Sequence, residues 1–292
     1  MRRLRFLVFE LLVRGFCFVV LGTLALASLY AGAVGLHARD LPRIVQALVE
    51  FFSGAGSGGS QRPGFSPAAL VGAALATTLP LAYTAMAMMA LAAIVMATLR
   101  SVSGSLARQY GRAEGRAAAS IAWALLTLGA SLPLFIGMWL LSLRFGSDAP
   151  YLLIAAVTVL CGGIALDAAR FLEKAMDREL RAAEGMVSLP WSSGLAFPLP
   201  GSLSAYAMSA ALPRFLPYLA GKVPIVIGGV MLSEILFSFP GLGSTLMDAL
   251  LARDLETLVV SLFVLLSINA VVAFSIRLVL FLFYPRWYEK NA

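Results

Sequence analysis

The residues of this chain that could do chemistry form few useful combinations. His37 is the single histidine and lies outside the long apolar segments, so the chain has no HExxH zinc-binding sequence and no Ser-His-Asp set. No GxxxxGK[ST] sequence is present to bind nucleotide phosphates, and no two carboxylates lie together inside an apolar segment. An intramembrane protease, a proton pump and a self-contained ATPase each lack required groups. We therefore predict that the chain is not an enzyme and holds no catalytic residue, cofactor or metal of its own.

One segment does combine a carboxylate with helix-breaking residues. It runs from Met231 to Asp254 and reads MLSEILFSFPGLGSTLMDALLARD, with Glu234 as the carboxylate. The helix-breaking residues that follow are Pro240, Gly241 and Gly243. Proline removes a backbone donor, and glycines allow a tight reversal of the chain. We therefore predict that an apolar helix ends before Pro240 and that an external, re-entrant segment over about 240–256 folds partly back.

The charged residues of this segment each allow two interpretations. Glu234 either meets water at the end of its helix or takes part in gating or partner contact. Asp248, Arg253 and Asp254 either form local ion pairs, which contribute little on a surface, or belong to the functional segment. Pro240 and the glycines are predicted to shape the backbone, and that shape is itself the functional feature.

The composition places these residues in a membrane protein. Of the 292 residues 60% are apolar and 13% are charged, against roughly 25% charged in a soluble domain. A bilayer core is about 30 Å thick and needs roughly 20 apolar residues for each helical crossing. Unbroken apolar runs such as LLIAAVTVL indicate helices and not the alternating strands of a β-barrel. We predict an all-α, polytopic fold with six transmembrane helices, over about residues 15–36, 67–99, 118–143, 150–168, 215–239 and 257–283.

The basic residues indicate the orientation of the chain. The net charge is +7, and the 22 basic residues are distributed unevenly between the two sides of the predicted membrane. The connections on one side hold five of them: Arg39, Arg43, Arg62, Arg144 and Arg253. The positive-inside rule makes the other, more basic side cytoplasmic. We therefore predict that both termini are cytoplasmic and that the charge reflects topology, with no nucleic-acid partner.

Residues 15–292 are predicted to form a single transmembrane domain, and two further segments are predicted on the cytoplasmic side. The first, residues 1–14, is an amphipathic lead-in. The longest connection, about 169–214, starts as a charged helical extension of the fourth span. It continues as an apolar stretch with four prolines, which cannot cross the bilayer as a regular helix. We expect a short helix there, lying against a partner or the membrane interface.

The C-terminal third of the chain resembles the permease subunit of the dipeptide, oligopeptide and nickel ABC importers. The residues that match in order and approximate spacing are Glu234, Phe237, Pro240, Gly241, Leu242, Gly243, Asp248, Ala249, Arg253 and Asp254. The last span ends in Tyr284, Pro285 and Arg286, where the family commonly has Asp in the position of the tyrosine. The N-terminal half is similar only in its pattern of spans, so the chain resembles a divergent member.

The resemblance implies the fold, the partners and the activity of that family. The chain would have the type I ABC importer permease fold and form half of a pathway in the bacterial inner membrane. Its partners would be a second permease, homologous or identical, two cytoplasmic ATP-binding subunits that hold ATP and Mg²⁺, an external solute-binding protein and the lipid bilayer. The segment after Pro240 would gate the external mouth during alternating access. The cargo would be peptides or peptide-like solutes, with nickel or oligosaccharide as alternatives.

The resemblance also implies a coupling helix that docks on the partner ATPase. The family motif is A-x-A-x-G, and the candidate residues here are Arg181, Ala182, Ala183, Glu184 and Gly185. Small residues suit a helix that sits in a cleft, and glycine permits a turn beside it. Because an arginine replaces the first alanine, an ordinary helix end stays open as the second interpretation. A stand-alone channel or membrane scaffold without an ATPase partner is the competing function.

Overall fold

The computed structural model describes residues 67–110, 116–184 and 203–284, together with positions 42, 45, 46 and 49. Over these residues the chain is helical and contains no β-strand. The α-helices are α1 (Pro67–Tyr110), α2 (Arg116–Ser131), α3 (Leu134–Phe145), α4 (Tyr151–Leu160), α5 (Ile164–Glu184), α6 (Leu203–Phe237), α7 (Leu242–Ala252) and α8 (Leu255–Phe283). Short 3-10 turns at Gly146–Asp148 and Cys161–Gly163 link α3 to α4 and α4 to α5. The all-α prediction is confirmed for this part of the chain.

Several of these helices are long and apolar enough to cross a bilayer. The stretches in the described residues are Ala69–Ser101, Tyr151–Arg181, Ala205–Phe237 and Leu255–Phe283. A fifth crossing results if α2 and α3, which are bent by 92°, form one broken span. The predicted first span at 15–36, the lead-in at 1–14 and His37 lie outside the described residues. The described chain is therefore that of a multi-pass membrane protein, with four or five of the six predicted spans.

The predicted third span, 118–143, is not one straight helix. α2 ends at Ser131, and Pro133 precedes the start of α3. Proline lacks an N–H and disfavours a helical conformation in the residue before it, so Leu132 leaves the helix. The carbonyl of Leu132 accepts a hydrogen bond from the N–H of Gly162 at 2.9 Å. Gly162 has a φ of 75°, which favours glycine, and its N–H thus satisfies an acceptor that the bend releases.

The predicted fourth connection, about 169–214, is helical wherever the structure describes it. α5 continues to Glu184, which confirms the charged helical extension of the fourth span. α6 begins at Leu203, within the predicted connection. The prolines inside α6 are Pro213, Pro217 and Pro224. Membrane helices tolerate such prolines because neighbouring groups satisfy the backbone carbonyls that they release. The remaining connection, 185–202, lies outside the described residues.

The chain divides into two compact units, residues 1–81 with 227–292 and residues 82–226. In the first unit, Leu242 at the start of α7 packs against α1 and α8. The buried apolar residues of this cluster are Val71, Ala74, Leu242, Val260 and Val264. Close packing of these side chains stabilises the contact by dispersion attraction, which is the main force between apolar helices in a bilayer. The cluster therefore fixes the helix that follows the Pro240 break.

In the second unit, ion pairs join α5 to α1 and α6. The pairs are Arg100 with Glu173 at 3.0 Å, Arg214 with Glu179 at 2.7 Å, and Lys222 with Asp167 at 3.4 Å. Aromatic groups reinforce them, since the ring of Tyr218 stacks on that of Phe171 with 4.2 Å between the centroids. The guanidinium of Arg100 also lies 4.4 Å from the centre of the Trp123 ring. α5 is thus attached to its neighbours along its charged half.

Candidate functional site

The chain reverses directly after α6. Phe237 at the end of α6 is buried, and its ring centroid lies 5.9 Å from that of Phe239. Ser238 between them has a φ of 57°, a left-handed conformation that is uncommon for a residue with a side chain. The N–H of Phe239 donates to the carbonyl of Glu234 at 2.9 Å, which satisfies an acceptor at the helix end. Exposed Pro240 follows, and the predicted helix break is confirmed.

Two backbone N–H groups at the start of α7 are bound by side chains of other helices. The N–H of Leu242 donates to Oγ1 of Thr78 in α1 at 2.7 Å. The N–H of Gly243 donates to Oε2 of Glu234 in α6 at 2.7 Å. The first N–H groups of a helix have no partners within the helix, so they need acceptors from elsewhere. The first turn of α7 is therefore tied to both α1 and α6.

Glu234 is fully buried, with 0% of its surface exposed. The interpretation in which it meets water at the end of its helix is therefore wrong. Its Oε2 accepts the bond from Gly243, whereas Oε1 has no hydrogen-bond partner among the described residues. A carboxylate at the start of a helix is stabilised by the positive end of the helix dipole as well as by N–H donors. The side chain of Glu234 thus positions α7 on α6.

Gly241 and Gly243 allow the backbone of the break to approach α6 closely. A Cβ atom at Gly241 would overlap the carboxylate of Glu234, and a Cβ atom at Gly243 would overlap the backbone of Met231. Gly241 has an ordinary extended φ of −111°, so lack of space and not backbone strain requires glycine there. The predicted role of the two glycines in shaping the backbone is confirmed.

Arg253 and Asp254 form the turn between α7 and α8. Arg253 ends α7 in a left-handed conformation, with a φ of 56°. The carboxylate of Asp254 accepts bonds from the N–H of Thr257 at 3.3 Å and from its hydroxyl at 2.9 Å, and so caps α8. The ion-pair interpretation is wrong for the described part of the chain, because Asp248, Arg253 and Asp254 form no ion pair there.

A cleft of about 180 Å³ lies next to this turn. The polar residues that line it are Ser244, Thr245, Asp248, Asp254 and Thr257. Asp248 is exposed, whereas Asp254 is 8% exposed and engaged in its cap. The cleft therefore presents hydroxyl groups and the negative charge of Asp248.

The residues of the predicted coupling motif fall only partly within the described chain. Arg181 is exposed in the last turn of α5. The backbone of Ala182, Ala183 and Glu184 continues the helix, whereas their side chains and the whole of Gly185 lie outside the described part. Both interpretations of this motif therefore stay open.

Sequence reasoning missed two side chains of the site. Thr78 is 164 positions away from Leu242, and no local pattern marks it as an acceptor. Ser244 could have been found from the sequence. It is the third residue of α7, and a side chain at that position often accepts a hydrogen bond from the N–H of the N-cap residue, here Gly241. Its Oγ accepts a bond from the N–H of Gly241 at 3.0 Å and lies 2.7 Å from the carbonyl of Phe239.

The long apolar helices and the buried break between α6 and α7 define the class of this chain as a multi-pass helical membrane protein. No protein-family model matches the chain, and no match is found among curated proteins. The resemblance to the ABC importer permeases therefore rests on the sequence of the break alone.

Proposed function

We propose that this chain is the transmembrane subunit of an ATP-driven ABC importer and forms half of its translocation pathway. The cargo is a peptide or peptide-like solute, which moves by alternating access across the bacterial inner membrane. The chain pairs with a homologous or identical permease, two cytoplasmic ATP-binding subunits and an external solute-binding protein.

The observation that carries this proposal is the convergence of the resembling residues. In the spacing E-x6-G-x-G, Glu234 receives the N–H of Gly243, and Gly241 leaves the space that the carboxylate occupies. The spacing therefore has one structural purpose, which is to hold a short helix against a long one. A segment at the mouth of a pathway needs such a defined attachment if it is to open and close as a unit.

The neighbourhood of α7 supports its proposed role as an external gate. Thr78 and Glu234 attach its first turn to α1 and α6, and the Asp254 cap follows its last turn. Movement of α1 or α6 would therefore displace α7. The cleft beside Asp248 is a polar, negatively charged surface that suits contact with the external binding protein.

The second unit supports the proposed coupling between ATP hydrolysis and the spans. α5 leads to the RAAEG motif and is joined to α6 by the pair of Arg214 with Glu179 and to α1 by that of Arg100 with Glu173. A displacement at the C-terminal end of α5 would be passed to both helices through these pairs. Exposed pairs contribute little to stability, but they fix the register of adjacent helices.

Purification of the intact complex tests this function. We expect the chain to co-purify from native membranes with a second permease and with P-loop proteins. Addition of the external binding protein should then stimulate ATP hydrolysis. Recovery of the chain without any P-loop protein in several mild detergents would contradict the importer and favour the stand-alone channel or scaffold.

Gly185→Arg tests the coupling motif, with Gly185→Ala as its matched control. We expect the arginine to prevent docking of the ATPase while membrane insertion stays normal, because a large side chain cannot enter a cleft shaped for small residues. The alanine variant should keep most of the transport. Co-purified ATPase and solute uptake measure both effects, and undiminished uptake by Gly185→Arg would remove the assignment.

Uptake by the reconstituted complex separates the three cargo classes. We expect labelled peptides to accumulate and unlabelled peptides to compete, whereas nickel ions and oligosaccharides do not. Competition by nickel or oligosaccharide in place of peptide would keep the importer but change its cargo.

A further inference from the structure

One exposed face of α5 carries a row of basic side chains, of which the importer proposal uses only Arg181, the first residue of the coupling motif. The row consists of Arg170, Lys174, Arg178 and Arg181, all of them exposed. Their spacings of four, four and three residues place them within an arc of roughly 80° on a helix with about 3.6 residues per turn. At about 1.5 Å of rise per residue, the row is about 16 Å long. We call this set the basic stripe.

The charge of the basic stripe is not cancelled by ion pairs with other described residues. Three carboxylates of α5 are instead engaged by basic residues of α1 and α6. These carboxylates are Asp167, Glu173 and Glu179. Of the two remaining carboxylates of α5, Asp177 is half-buried at the edge of the stripe and Glu184 is the last residue of the helix, so together they offset at most two of the four positive charges. The exposed face of α5 therefore keeps a net positive charge.

The basic stripe begins where the apolar part of the span ends. Residues 151–166 contain no charged side chain, and Asp167 is the first one. Arg170 follows Asp167 by less than one turn, which places it close to the layer of lipid headgroups that borders the apolar core. The positive-inside rule predicts that this end of the span is cytoplasmic.

The direction of the side chains brings the whole stripe closer to the membrane. Side chains on an α-helix lean toward the N-terminus of that helix. Because α5 leaves the membrane toward its C-terminus, the side chains of Arg178 and Arg181 lean back toward the headgroups. Their long apolar stems allow the charged ends to reach the polar layer. Guanidinium groups bind phosphate oxygens with two parallel hydrogen bonds.

We propose that the basic stripe binds the phosphate groups of anionic phospholipids and thereby fixes α5 to the membrane surface. Basic clusters directly beside a transmembrane helix are attracted to anionic lipids. The start of the stripe at the membrane edge and the lean of its side chains favour lipid over an acidic protein as the occupant. The inference does not depend on the importer function, since it requires only that α4 and α5 cross a membrane.

Lipid binding to the full-length protein tests the inference. The protein is purified in mild detergent, and phosphatidylglycerol or phosphatidylcholine is added in separate titrations. Native mass spectrometry counts the bound lipids, and thermal unfolding follows the stabilisation. We expect phosphatidylglycerol to bind more tightly than phosphatidylcholine. Raising the salt from about 0.1 M to about 1 M should weaken this preference, because the Debye length shortens from about 10 Å to about 3 Å.

A variant with the four substitutions R170Q, K174Q, R178Q and R181Q removes the charge of the stripe. We expect its affinity for phosphatidylglycerol to fall roughly fivefold for each side chain removed. Its unfolding in phosphatidylcholine should match that of the unaltered protein, because the four side chains are exposed. The variant R170K, R178K and R181K keeps the charge and should retain most of the binding. The single variant Arg170→Gln is compared with a matched control, Arg144→Gln, which lies at an exposed position in α3. The control should lower the affinity for phosphatidylglycerol less than Arg170→Gln does.

Four outcomes would overturn the inference. The first is unchanged binding of phosphatidylglycerol by the fourfold variant. The second is a loss of phosphatidylglycerol affinity in Arg144→Gln as large as that in Arg170→Gln. The third is displacement of the lipid by soluble glycerol phosphate at the same concentration, which would indicate a site for free phosphate. The fourth is the loss of an acidic protein from the purified variant while lipid binding stays the same.

Discussion

Glu234 supplies the acceptor for the N–H of Gly243 from a position where water does not reach it. We predict that Glu234→Ala lowers the free energy of unfolding by about 1–3 kcal/mol, because a buried N–H is left without an acceptor. Glu234→Gln keeps an acceptor oxygen and should lose less. Thermal unfolding of the purified protein measures both effects.

Asp248→Asn is the control for the Glu234 variants, because it also removes a carboxylate of the break but at an exposed position. We expect its stability to stay within about 0.5 kcal/mol of the unaltered protein, as for most surface substitutions. Equal stability of Glu234→Ala and Asp248→Asn would contradict the positioning role of Glu234.

Gly241→Ala tests the close approach of the break to α6. The added Cβ atom would overlap the carboxylate of Glu234, so either the carboxylate or the backbone of α7 must move. We predict a loss of about 1–3 kcal/mol, as for other overpacked sites. The matched control is Gly228→Ala in α6, where a Cβ atom meets nothing within 4 Å. An alanine inside a helix is favoured over glycine by roughly 0.5–1 kcal/mol, so this control should be slightly more stable.

A result in which both alanine variants gain stability would show that space at Gly241 is not limiting.

At the scale of residues, the sequence predicts the break but not the hydrogen bonds that hold it. Pro240 and its neighbouring glycines predict a break because their effect on the backbone is local. The bonds of Glu234 and Thr78 depend on how α1, α6 and α7 meet, and no local pattern encodes that meeting.

At the scale of elements, the cap at Asp254 determines where α8 begins. Asp254→Ala removes the acceptor for the N–H of Thr257 and should lower stability by about 1 kcal/mol. Asp254→Ser keeps a capping oxygen and should retain most of the stability that the cap contributes. Hydrogen exchange offers a local measurement, since the amide of Thr257 should exchange faster in the alanine variant. Unchanged exchange at Thr257 would contradict the capping role.

Prolines show why helix boundaries could be predicted only in part. Pro133 separates α2 from α3, and the carbonyl of Leu132 at the bend accepts a hydrogen bond from the N–H of Gly162. Pro213 and Pro217 lie within a continuous α6. The sequence signal is the same at both places, whereas the outcome depends on the groups that surround each proline. The apolar runs therefore predict where helices are, and tertiary contacts decide which of them bend.

At the scale of the whole molecule, the bent pair of α2 and α3 decides the orientation of everything that follows it. If the pair crosses the membrane, the turn at Gly146–Asp148 and the turn at Arg253 lie on the external side, as the basic residues predict. If the pair instead enters and leaves on the same side, the spans that follow it are inverted. We predict the crossing, because the inverted arrangement would place the basic stripe of α5 outside.

Labelling of single cysteines in intact cells tests this orientation. The background variant replaces Cys17 and Cys161 with alanine, and the introduced changes are Asp148→Cys, Ser209→Cys and Ala252→Cys, all at exposed positions. A thiol reagent that cannot cross membranes should label the cysteines at 148 and 252 directly and the one at 209 only after permeabilisation. Position 148 reports whether α2 and α3 together cross the membrane. Position 209 reports the same for α4 with α5, and position 252 reports it for α6. With the N-terminus in the cytoplasm, direct labelling at 209 without labelling at 148 and 252 would mean that α2 and α3 form a re-entrant pair. The cleft beside Asp248 would then face the cytoplasm, where no external binding protein could reach it.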